Sequence, residues 1–501
     1  MAGRTSEGFA WTQDAGLRQG NLSCEGVVSP PTRVEHGSDF VYDAIVVGAG
    51  YAGLCAARDL TTAGRSVLLI EGRDRVGGRT YTVDEDGFKF EMGGTWVSHN
   101  QPNTFRELVR YGLDRDLTLT RHAGHENDYF SLKLAGSSRK DFSQEKALEL
   151  TTRAWDIFVN VDGEGGKKIC PLPHQQLGNV LVDRREVEKW DAYSSWDRLE
   201  EIKDQLSEEE YGLLVPVLLI IHGGNRDLKD SAFWDIVRAH ALNGHRFENM
   251  DEIWFRYKLR RGQSHLARTM FDDAAAWGLE YMFKSRVEAL RQTNDGLVRV
   301  STSSGQSFAA RKVVCTVPLN VLKLLVFEPP FSPLRQEAID AGHINFMTKI
   351  HAVVDGSAMA SWNGSSFPGH LSCAYGDGLM PSGDTHLVVF GADERPHFVP
   401  EKHPDKVVEA LQNFHPMDVK KLVFHNWNTD PYSQAGPCWF APSYMSKYQD
   451  ELQKRHGNVF FASADWAHGW RAFIDGALEQ GFLNALEVLK ELRHEAEGRQ
   501  Q

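Results

Sequence analysis

Three glycines and one acid stand at spacings that suit dinucleotide binding. The apolar run 44–47 leads into Gly48, and Gly50 and Gly53 complete a G-x-G-x-x-G pattern. Gly48 permits a tight turn, Gly50 lets the backbone approach a pyrophosphate, and Gly53 lets a helix pack closely on the strand. Glu71 ends a second apolar run, where its carboxylate can accept hydrogen bonds from both ribose hydroxyls of an adenosine. A glycine-rich turn alone can be purely structural, but here the acid stands in the required place.

Two further glycine pairs narrow the choice of cofactor. The stretch 75–80 (Arg-Val-Gly-Gly-Arg-Thr) follows Glu71 closely, and its arginines can offer a pyrophosphate charge-assisted donors. NAD sites seldom carry this second loop, whereas flavoprotein oxidases resemble it closely. Gly93 and Gly94 precede Thr95 and Trp96, where backbone could lie against a flat ring, although a plain turn is the alternative. The predicted cofactor is FAD.

A strand–helix–strand unit must position these residues. The buried apolar run before Gly48 predicts a parallel strand, and a helix over about 52–63 would direct its free N–H groups and positive dipole end at the phosphates. Gly64 would close that helix, and the run 66–70 predicts the second strand.

Composition excludes several classes of function. The chain has 501 residues and a net charge of −13, which disfavours broad binding to nucleic acid or anionic membranes. The six cysteines are scattered without a C-x-x-C pair, and the 20 histidines form no ligand-spaced cluster, so no disulfide framework and no metal site is predicted. We find no secretory h-region, no apolar run of about 18 residues and no peroxisomal tripeptide. A soluble cytoplasmic protein is expected.

The order of patterns along the chain predicts two interleaved domains. Residues 1–40 are polar and predict an arm over the surface or a partly disordered lead-in. The predicted FAD-binding domain takes residues 41–115, 251–322 and 455–492, and the predicted substrate-binding domain takes 116–250 and 323–454. The fold class is therefore α/β, a Rossmann-type FAD-binding domain interleaved with an α+β substrate-binding domain.

Local patterns fill in both predicted domains. Helices are predicted over 147–161 and 200–221, and the acidic run 207–210 is interpreted as a solvated face. A hairpin is predicted from 297–302 and 307–310. The remaining predicted strands and the closing helix cover 312–318, 349–354, 386–390, 421–425, 458–463 and 473–489.

The chain resembles the flavin-containing monoamine oxidases, and within that family the soluble fungal enzymes most. The resemblance covers residues 8–490 and rests on separated motifs that occur in the family's order. Beyond the loops already described, these motifs are Cys-Thr-Val-Pro at 315–318, Thr-Lys at 348–349, Asn-Trp at 426–427, Gly-Pro-Cys-Trp at 436–439, and Ala-Asp-Trp at 464–466 through Gly-Ala at 476–477.

The resemblance implies catalytic roles for three residues. Lys349 matches the lysine that holds a water against flavin N5, and Trp439 and Phe473 match an aromatic pair perpendicular to the flavin. A buried lysine there should have a depressed pKa, and two facing rings can guide an amine. A surface lysine and ordinary core aromatics are the alternatives.

The resemblance also implies the contacts to the cofactor. Val287 would contact the adenine through its backbone, Trp427 would pack near the flavin, and Asp465 would lie near the ribityl chain or phosphates. The helix after Phe473 would direct its N-terminus at the anionic end of the isoalloxazine. The predicted cofactor-binding set is Gly48, Gly50, Ala52, Gly53, Glu71, Arg73, Gly78, Arg79, Gly93, Gly94, Thr95, Trp96, Val287, Trp427, Cys438, Asp465, Phe473, Ile474 and Ala477.

Cys438 bears on how FAD is held. It directly precedes Trp439, where mitochondrial members of the family carry a cysteine bonded to the flavin 8α-methyl. Soluble fungal members can have a small residue there and bind FAD without a bond. Pro437 replaces the glycine of the mitochondrial pattern. We predict an 8α-S-cysteinyl bond and leave a buried, unreactive thiol as the alternative.

The implied activity is oxidative deamination of a primary amine to an aldehyde or ketone and ammonia, with O2 reduced to hydrogen peroxide. A polyamine or L-amino-acid oxidase is the alternative within the superfamily. A non-catalytic binding protein, as in the prenyl-GTPase dissociation inhibitors, is the alternative outside enzymes, but those proteins lack the flavin-facing motifs. The expected partners are the amine and O2, without nucleic acid or membrane, and a homodimer is left open. The sequence does not specify the amine.

Overall fold

The first of two large sheets carries the nucleotide-binding loop. The computed structural model describes residues 2–37, 39–120, 124–174, 181, 183–223, 227–392 and 398–498. The strand Val41–Val47 lies near the middle of this sheet, parallel to Val67–Ile70 and to Ser307–Cys315. In spatial order the strands are Val326–Glu328, Val287–Gln292, Val298–Thr302, Ser307–Cys315, Val41–Val47, Val67–Ile70, Glu280–Met282 and Thr32–Arg33, with Val459–Phe461 also paired to Ser307–Cys315. The predicted hairpin of 297–302 and 307–310 is confirmed.

The second sheet is mainly antiparallel and belongs to the other half of the molecule. Its centre is Met347–Val354, which pairs with Thr385–Ala392 on one side and Val419–Phe424 on the other. In spatial order the strands are Lys140–Phe142, Phe130–Leu134, Asn363–Phe367, Leu371–Leu379, Thr385–Ala392, Met347–Val354, Val419–Phe424, Phe9–Thr12 and Gly16–Gln19. Alternate side chains of the central strand therefore face the first half of the molecule.

Helices cover both sheets, and two small sheets join them. The helices are Tyr51–Thr62, Pro102–Arg110, Gln144–Val159, Arg184–Asp191, Ser195–Ile202, Glu208–His222, Phe233–Leu242, Gln263–Ala276, Leu319–Leu322, Pro333–Ala341, Pro404–Phe414, Tyr444–Gln453 and Ile474–Gly498. Short 3₁₀ turns occupy Leu113–Arg115, Lys203–Gln205 and Ala464–Trp466, and Asp251–Phe255 is a π-helix. One small sheet contains Gly3–Thr5, Leu22–Cys24, Thr82–Glu85 and Phe88–Glu91, and the other Trp96–Val97, Tyr257–Leu259 and Leu117–Leu119. Within the described ranges, we found no helix long and apolar enough to span a membrane.

Residues 1–40 differ from the predicted surface arm. Phe9–Thr12 pairs antiparallel with Val419–Phe424 in the second sheet, and Thr32–Arg33 pairs with Glu280–Met282 in the first. The segment therefore contributes strands to both halves. The short strands of this segment were not predicted, because the segment is mostly polar and the strands that pair with them lie hundreds of residues away.

The helical layer differs from the prediction at the acidic run. The predicted helix 200–221 is two helices, because Ser207 starts the second one with a capping box that Glu210 completes. Glu210 is buried and pairs with Arg153 at 2.5 Å, so the run begins a helix rather than forming only a solvated face. The strand Val326–Glu328 belongs to the first sheet, beyond the predicted domain boundary at residue 322.

Candidate functional site

A cavity of about 660 Å³ is lined by residues from both sheets. It contains every residue of the predicted site except Gly53, Cys438 and Asp465. The predicted residues that line it are Gly48, Gly50, Ala52, Glu71, Arg73, Gly78, Arg79, Gly93, Gly94, Thr95, Trp96, Val287, Lys349, Trp427, Trp439, Phe473, Ile474 and Ala477. Motifs that lie far apart in the sequence thus meet at one place.

Two glycines of the first loop leave no room for side chains. A Cβ on Gly48 would lie 2.4 Å from Thr316 Oγ1, and one on Gly53 would lie 1.9 Å from the Gly48 carbonyl oxygen. Gly53 therefore permits close packing of the helix behind the cavity wall. The helix Tyr51–Thr62 begins after Gly50 with no side-chain cap and no acid in its first turn. Its positive end is uncompensated, which fits a pyrophosphate.

Glu71 is held with its carboxylate at the cavity wall. Its Oε2 accepts a hydrogen bond from the Ala49 N–H at 2.6 Å, and its Oε1 accepts one from the Arg73 N–H at 2.8 Å. Carboxylate oxygens have further lone pairs, so both oxygens can still accept from ribose hydroxyls. The Arg73 side chain is used within the protein, because it pairs with Asp430 at 2.6 and 2.9 Å and with Glu7.

The second loop meets the first and is held by Asp465. A Cβ on Gly78 would lie 3.0 Å from the Gly50 Cα. Arg79 donates to Asp465 Oδ1 at 2.6 Å and to the Gly436 carbonyl at 3.1 Å. Burial opposes ionisation of Asp465, yet the Arg79 charge keeps its pKa below the ordinary value. Asp465 is fully buried behind Arg79 and does not line the cavity, so it acts on that arginine, and its place near the ribityl chain or phosphates stays a prediction.

Lys349 is buried and faces the double-glycine strip. Its Nζ donates to Thr95 Oγ1 and, at 3.2 Å, to the Gly93 carbonyl. Thr95 in turn donates its own hydroxyl proton to the Gly93 carbonyl, so Oγ1 is an acceptor for the lysine. Two acceptors match the two N–H groups of a neutral amine. Burial lowers the pKa of Lys349 to about 7, against the opposing charge of Glu91.

Aromatic rings form the wall opposite the glycines. Trp439 and Phe473 both contact Trp254, with ring centroids 6.5 and 5.0 Å apart and the Phe473 ring at 75°. Ala472, immediately before Phe473, has φ +80°, an unusual conformation for a residue with a Cβ. The backbone is thus constrained at the point where it presents the Phe473 ring.

Sequence reasoning missed several residues of this wall. Trp254 and Phe255 come from the π-helix Asp251–Phe255, and Phe390 and Ile221 also line the cavity. The one available signal was an aromatic pair in an otherwise charged stretch, 251–258. π-helices are frequent at functional sites but have no distinctive sequence period.

Cys438 does not face the cavity, although its neighbours Pro437 and Trp439 do. Its thiol is fully buried and donates to the Asp465 carbonyl at 3.4 Å. Burial raises the pKa of the thiol well above its ordinary value, which opposes formation of the thiolate needed for attack on a flavin. The predicted bond to FAD stays a prediction, and this geometry opposes it.

The geometry fits an extended dinucleotide better than a small ligand. The lining falls into three groups: Glu71 with Val287, the uncapped helix N-terminus with the second glycine loop, and Gly93 with Lys349 and the aromatic residues. A Cβ on Gly48 or Gly93 would collide with neighbouring protein atoms, so the backbone is bare at these two points, as a closely bound cofactor requires. These three groups suit the adenosine, the pyrophosphate and the ring of FAD respectively.

Comparisons with known proteins agree with this fit. The family model for flavin containing amine oxidoreductases matches residues 51–489. The chain is 30% identical to a pseudooxynicotine dehydrogenase from a Pseudomonas species, over 89% of this chain and 85% of that one, and 28% identical to a nicotine dehydrogenase from Pseudomonas putida, over 90% and 88%. A solved putrescine oxidase bound to putrescine shares the fold, with a TM-score of 0.71 at 19% identity over 90% of this chain and 99% of that one.

These relatives are bacterial, so the predicted closeness to fungal enzymes stays a prediction. The family match spans most of the chain, from the helix after the first glycine loop into the helix Ile474–Gly498. The chain therefore belongs to the flavin-containing amine oxidoreductases, with the flavin amine oxidase fold and FAD as its cofactor.

Proposed function

We propose that this protein oxidises the α-carbon of a primary amine, whose imine product hydrolyses to an aldehyde or ketone and ammonia while O2 is reduced to hydrogen peroxide. The observation that carries this proposal is Lys349, buried at the double-glycine strip of a cavity whose other wall is aromatic. Bound FAD supplies the oxidant, since it can accept two electrons from the C–H bond beside the nitrogen.

The chain's own residues would hold the cofactor at both ends. Glu71 would accept hydrogen bonds from the ribose, and the first turn of Tyr51–Thr62 would donate to the pyrophosphate. At the other end the helix Ile474–Gly498 begins at the cavity wall, where its positive dipole end would stabilise negative charge on the reduced ring.

Lys349 would manage a proton beside the reacting atoms. As a free amine it donates to Thr95 and Gly93 and keeps one lone pair for a water or a substrate proton. A pKa near 7 places it where general base catalysis is effective at neutral pH. Trp439 and Phe473 would orient the amine through the electron-rich faces of their rings.

The walls near the aromatic residues favour an amine with an apolar body. They include Ile220, Ile221, Met347, Phe390 and Trp254. Among the lining residues that the structure describes, the carboxylates are Glu71 and Glu288. Glu71 directly follows the strand Val67–Ile70 and Glu288 lies on Val287–Gln292, both at the proposed adenosine end. Neither carboxylate lies among the aromatic residues, so these residues offer no negative charge there to a second ammonium group such as that of putrescine. We therefore propose a substrate with one amine and an aromatic or aliphatic remainder.

Two alternatives within the superfamily lead to different substrates. An L-amino-acid oxidase needs a cation for the carboxylate, but the buried Arg238 lies behind Trp439, 5.8 Å from its ring centroid, and does not line the cavity. A polyamine oxidase needs acidic side chains along the cavity. The relatives named for nicotine and pseudooxynicotine favour amines that carry an aromatic ring.

An anaerobic mixing experiment tests the proposal and its alternatives. The purified yellow protein is mixed without oxygen with aromatic, aliphatic, diamine and amino-acid substrates, and loss of flavin absorbance is followed. We expect aromatic or aliphatic monoamines to bleach the flavin fastest. Reduction by diamines or amino acids alone would contradict the substrate proposal, and a protein without bound flavin would instead support a non-catalytic binding protein.

The electron acceptor needs a separate measurement, since the two relatives above are named dehydrogenases. The amine-reduced protein is mixed with oxygenated buffer or, without oxygen, with an artificial electron-accepting dye. We expect fast reoxidation by O2 with one peroxide per amine. Fast reoxidation by the dye and slow reoxidation by O2 would leave amine oxidation intact but overturn the choice of O2.

A further inference from the structure

Two buried histidines lie on the same sheet face as Lys349. On the strand Met347–Val354, Lys349 and His351 are two residues apart and so point to one face. On the neighbouring strand His386 stands opposite Val353, which shares that face. His351 and His386 are 1% and 2% exposed, and His351 Nδ1 lies 2.8 Å from His386 Nε2. Their rings are within 21° of parallel.

The outer nitrogens of this pair both face acceptors. His351 Nε2 lies 2.9 Å from the Glu91 carbonyl oxygen. His386 Nδ1 lies 3.3 Å from the Asp377 carbonyl oxygen and 3.6 Å from the Asp377 carboxylate. A carbonyl oxygen can only accept a hydrogen bond, so each outer nitrogen needs a proton.

Counting protons gives the charge of the pair. The outer nitrogens, His351 Nε2 and His386 Nδ1, take one proton each. The contact between the inner nitrogens, His351 Nδ1 and His386 Nε2, needs one more. Two neutral imidazoles carry only two N–H protons between them. One of the three contacts would then have no proton, and its two atoms would face each other with lone pairs. Three protons on four nitrogens make one imidazole and one imidazolium.

We propose that His351 and His386 share this additional proton, and that the resulting positive charge holds the nearby Lys349 in its free-amine form. The second part rests on the proposed function, in which that amine acts beside the flavin. His351 and His386 are thus positioning residues that set the charge of Lys349 without touching the substrate.

The surrounding charges allow one positive charge more easily than two. Asp377 is already paired with Lys258 at 2.6 Å. Glu91 is therefore the carboxylate left to balance a positive charge on this face. Its Oε1 accepts hydrogen bonds from Thr82 at 2.7 Å and from the Gln263 N–H at 2.8 Å. A carboxylate held by donors in this way can balance one cation. If the histidine pair carries that charge, a second charge on Lys349 is disfavoured.

Burial acts against the shared proton and must be outweighed by hydrogen bonding. Desolvation lowers the pKa of His386 to about 4 and that of His351 well below its ordinary value. Phe88 and Phe90 pack on the pair and keep it dry. In a dry site, however, a lone pair forced against another acceptor is also costly. The row of acceptor, two imidazoles and acceptor favours the charged pair.

The first test counts the protons directly. FAD-loaded, full-length protein with ¹⁵N-labelled histidine is studied by NMR between pH 6 and 8, and the pair's signals are assigned by their loss in His351→Gln and His386→Gln. We expect three N–H groups on the pair, one of them strongly deshielded. Two N–H groups and a pair of neutral imidazoles would overturn the proposal. This measurement needs no substrate, so it stands even if the proposed function fails.

The second test measures the effect on Lys349. The rate of amine-driven flavin reduction is followed against pH in the wild type, in His351→Gln and in His370→Gln, a matched variant of a histidine that stacks on Phe398 outside the row. His351→Gln removes the shared charge, so a like charge no longer opposes protonation of Lys349. The pH at which the rate of flavin reduction rises should therefore increase by about one unit. His370→Gln should leave it in place. An unmoved limb in His351→Gln would overturn the coupling to Lys349.

Discussion

At Lys349, burial and hydrogen bonding decide the form of a single side chain. Its Nζ has acceptors at Thr95 and Gly93 and lies 4.7 Å from the Trp96 ring centroid. The aromatic face favours a cation, whereas loss of water favours the neutral amine. The larger effect is burial, which brings the pKa to about 7. The residue can therefore exchange a proton near neutral pH.

Lys349→Met should slow amine-driven flavin reduction or reoxidation by about 100-fold while FAD stays bound. In the wild type the rate should rise with pH through about 7, as the free amine forms, and this limb should be absent from the variant. Stopped-flow absorbance measures both. Wild-type rates at saturating amine and oxygen would remove Lys349 from the mechanism.

The same variant should also change stability in a pH-dependent way. Because the pKa of Lys349 falls from 10.5 to about 7 on folding, the unfolded chain binds more protons between these values. Wild-type stability should therefore gain from this residue as pH rises through that window. Lys349→Met should have the higher Tm at pH 7, and its advantage should shrink toward pH 10. An advantage that does not change with pH would show that Lys349 is not buried as a neutral amine.

Cys438 permits a direct test of how the cofactor is attached. Its thiol is directed at the Asp465 carbonyl. Burial raises the pKa of the thiol well above its ordinary value and outweighs the opposing charges of Arg471 and Arg79. Acid precipitation should therefore release FAD into the supernatant, and Cys438→Ser should bind FAD as the wild type does. A yellow pellet, with FAD mass on the Cys438 peptide, would show instead that the side chain turns toward the flavin and forms the bond.

At the scale of elements, the π-helix Asp251–Phe255 is expected to set substrate size. It places Trp254 against both Phe473 and Trp439, where a smaller side chain would enlarge the cavity. Trp254→Ala should lower kcat/KM for small amines by about tenfold and raise it for bulkier ones. Trp277→Ala is the matched control, because Trp277 is 62% exposed. Equal losses for all amines would indicate a purely structural role.

Elements differ in how far the sequence predicts them. The glycine loop and the helix after it were predicted closely, because a turn, a cap and a neighbouring strand are local in sequence. Lys349 was predicted from a motif match, but its partner Thr95 and its coupling to Glu91 depend on the meeting of distant strands. The strand Phe9–Thr12 gave no usable signal, since only its pairing with residues 419–424 makes it a strand. Non-local contacts of this kind are not encoded in any short window.

For the whole molecule, Glu7 links the N-terminal segment to the cofactor loop. It pairs with Arg73 and, at 2.8 Å, with Arg75, while Arg73 also pairs with Asp430 of the second half. Burial opposes the charge of Glu7, but Arg73 and Arg75 lower its pKa to about 2. The ion network therefore joins three separate parts of the chain beside Glu71.

Glu7→Gln should lower the free energy of unfolding at pH 7 by about 3 kcal/mol, because it leaves buried guanidinium charge without its partner. The depressed pKa means that this contribution is present above about pH 4.5 and is lost as pH falls toward 2. Denaturant unfolding at pH 7 and pH 4 measures the change. Glu149→Gln is the control, since that side chain is 68% exposed. An equal loss in both variants would contradict the role of the network.

The position of Phe9–Thr12 in the second sheet has a consequence for the order in which the protein can assemble during translation. This strand is made several hundred residues before its partner Val419–Phe424. Its other neighbour in the described sheet is Gly16–Gln19, the adjacent strand of its own hairpin, which is made soon after it. The sheet that carries Lys349 therefore closes only after residues 419–424 are made. Until then one edge of Phe9–Thr12 stays unpaired, which exposes the nascent chain to aggregation.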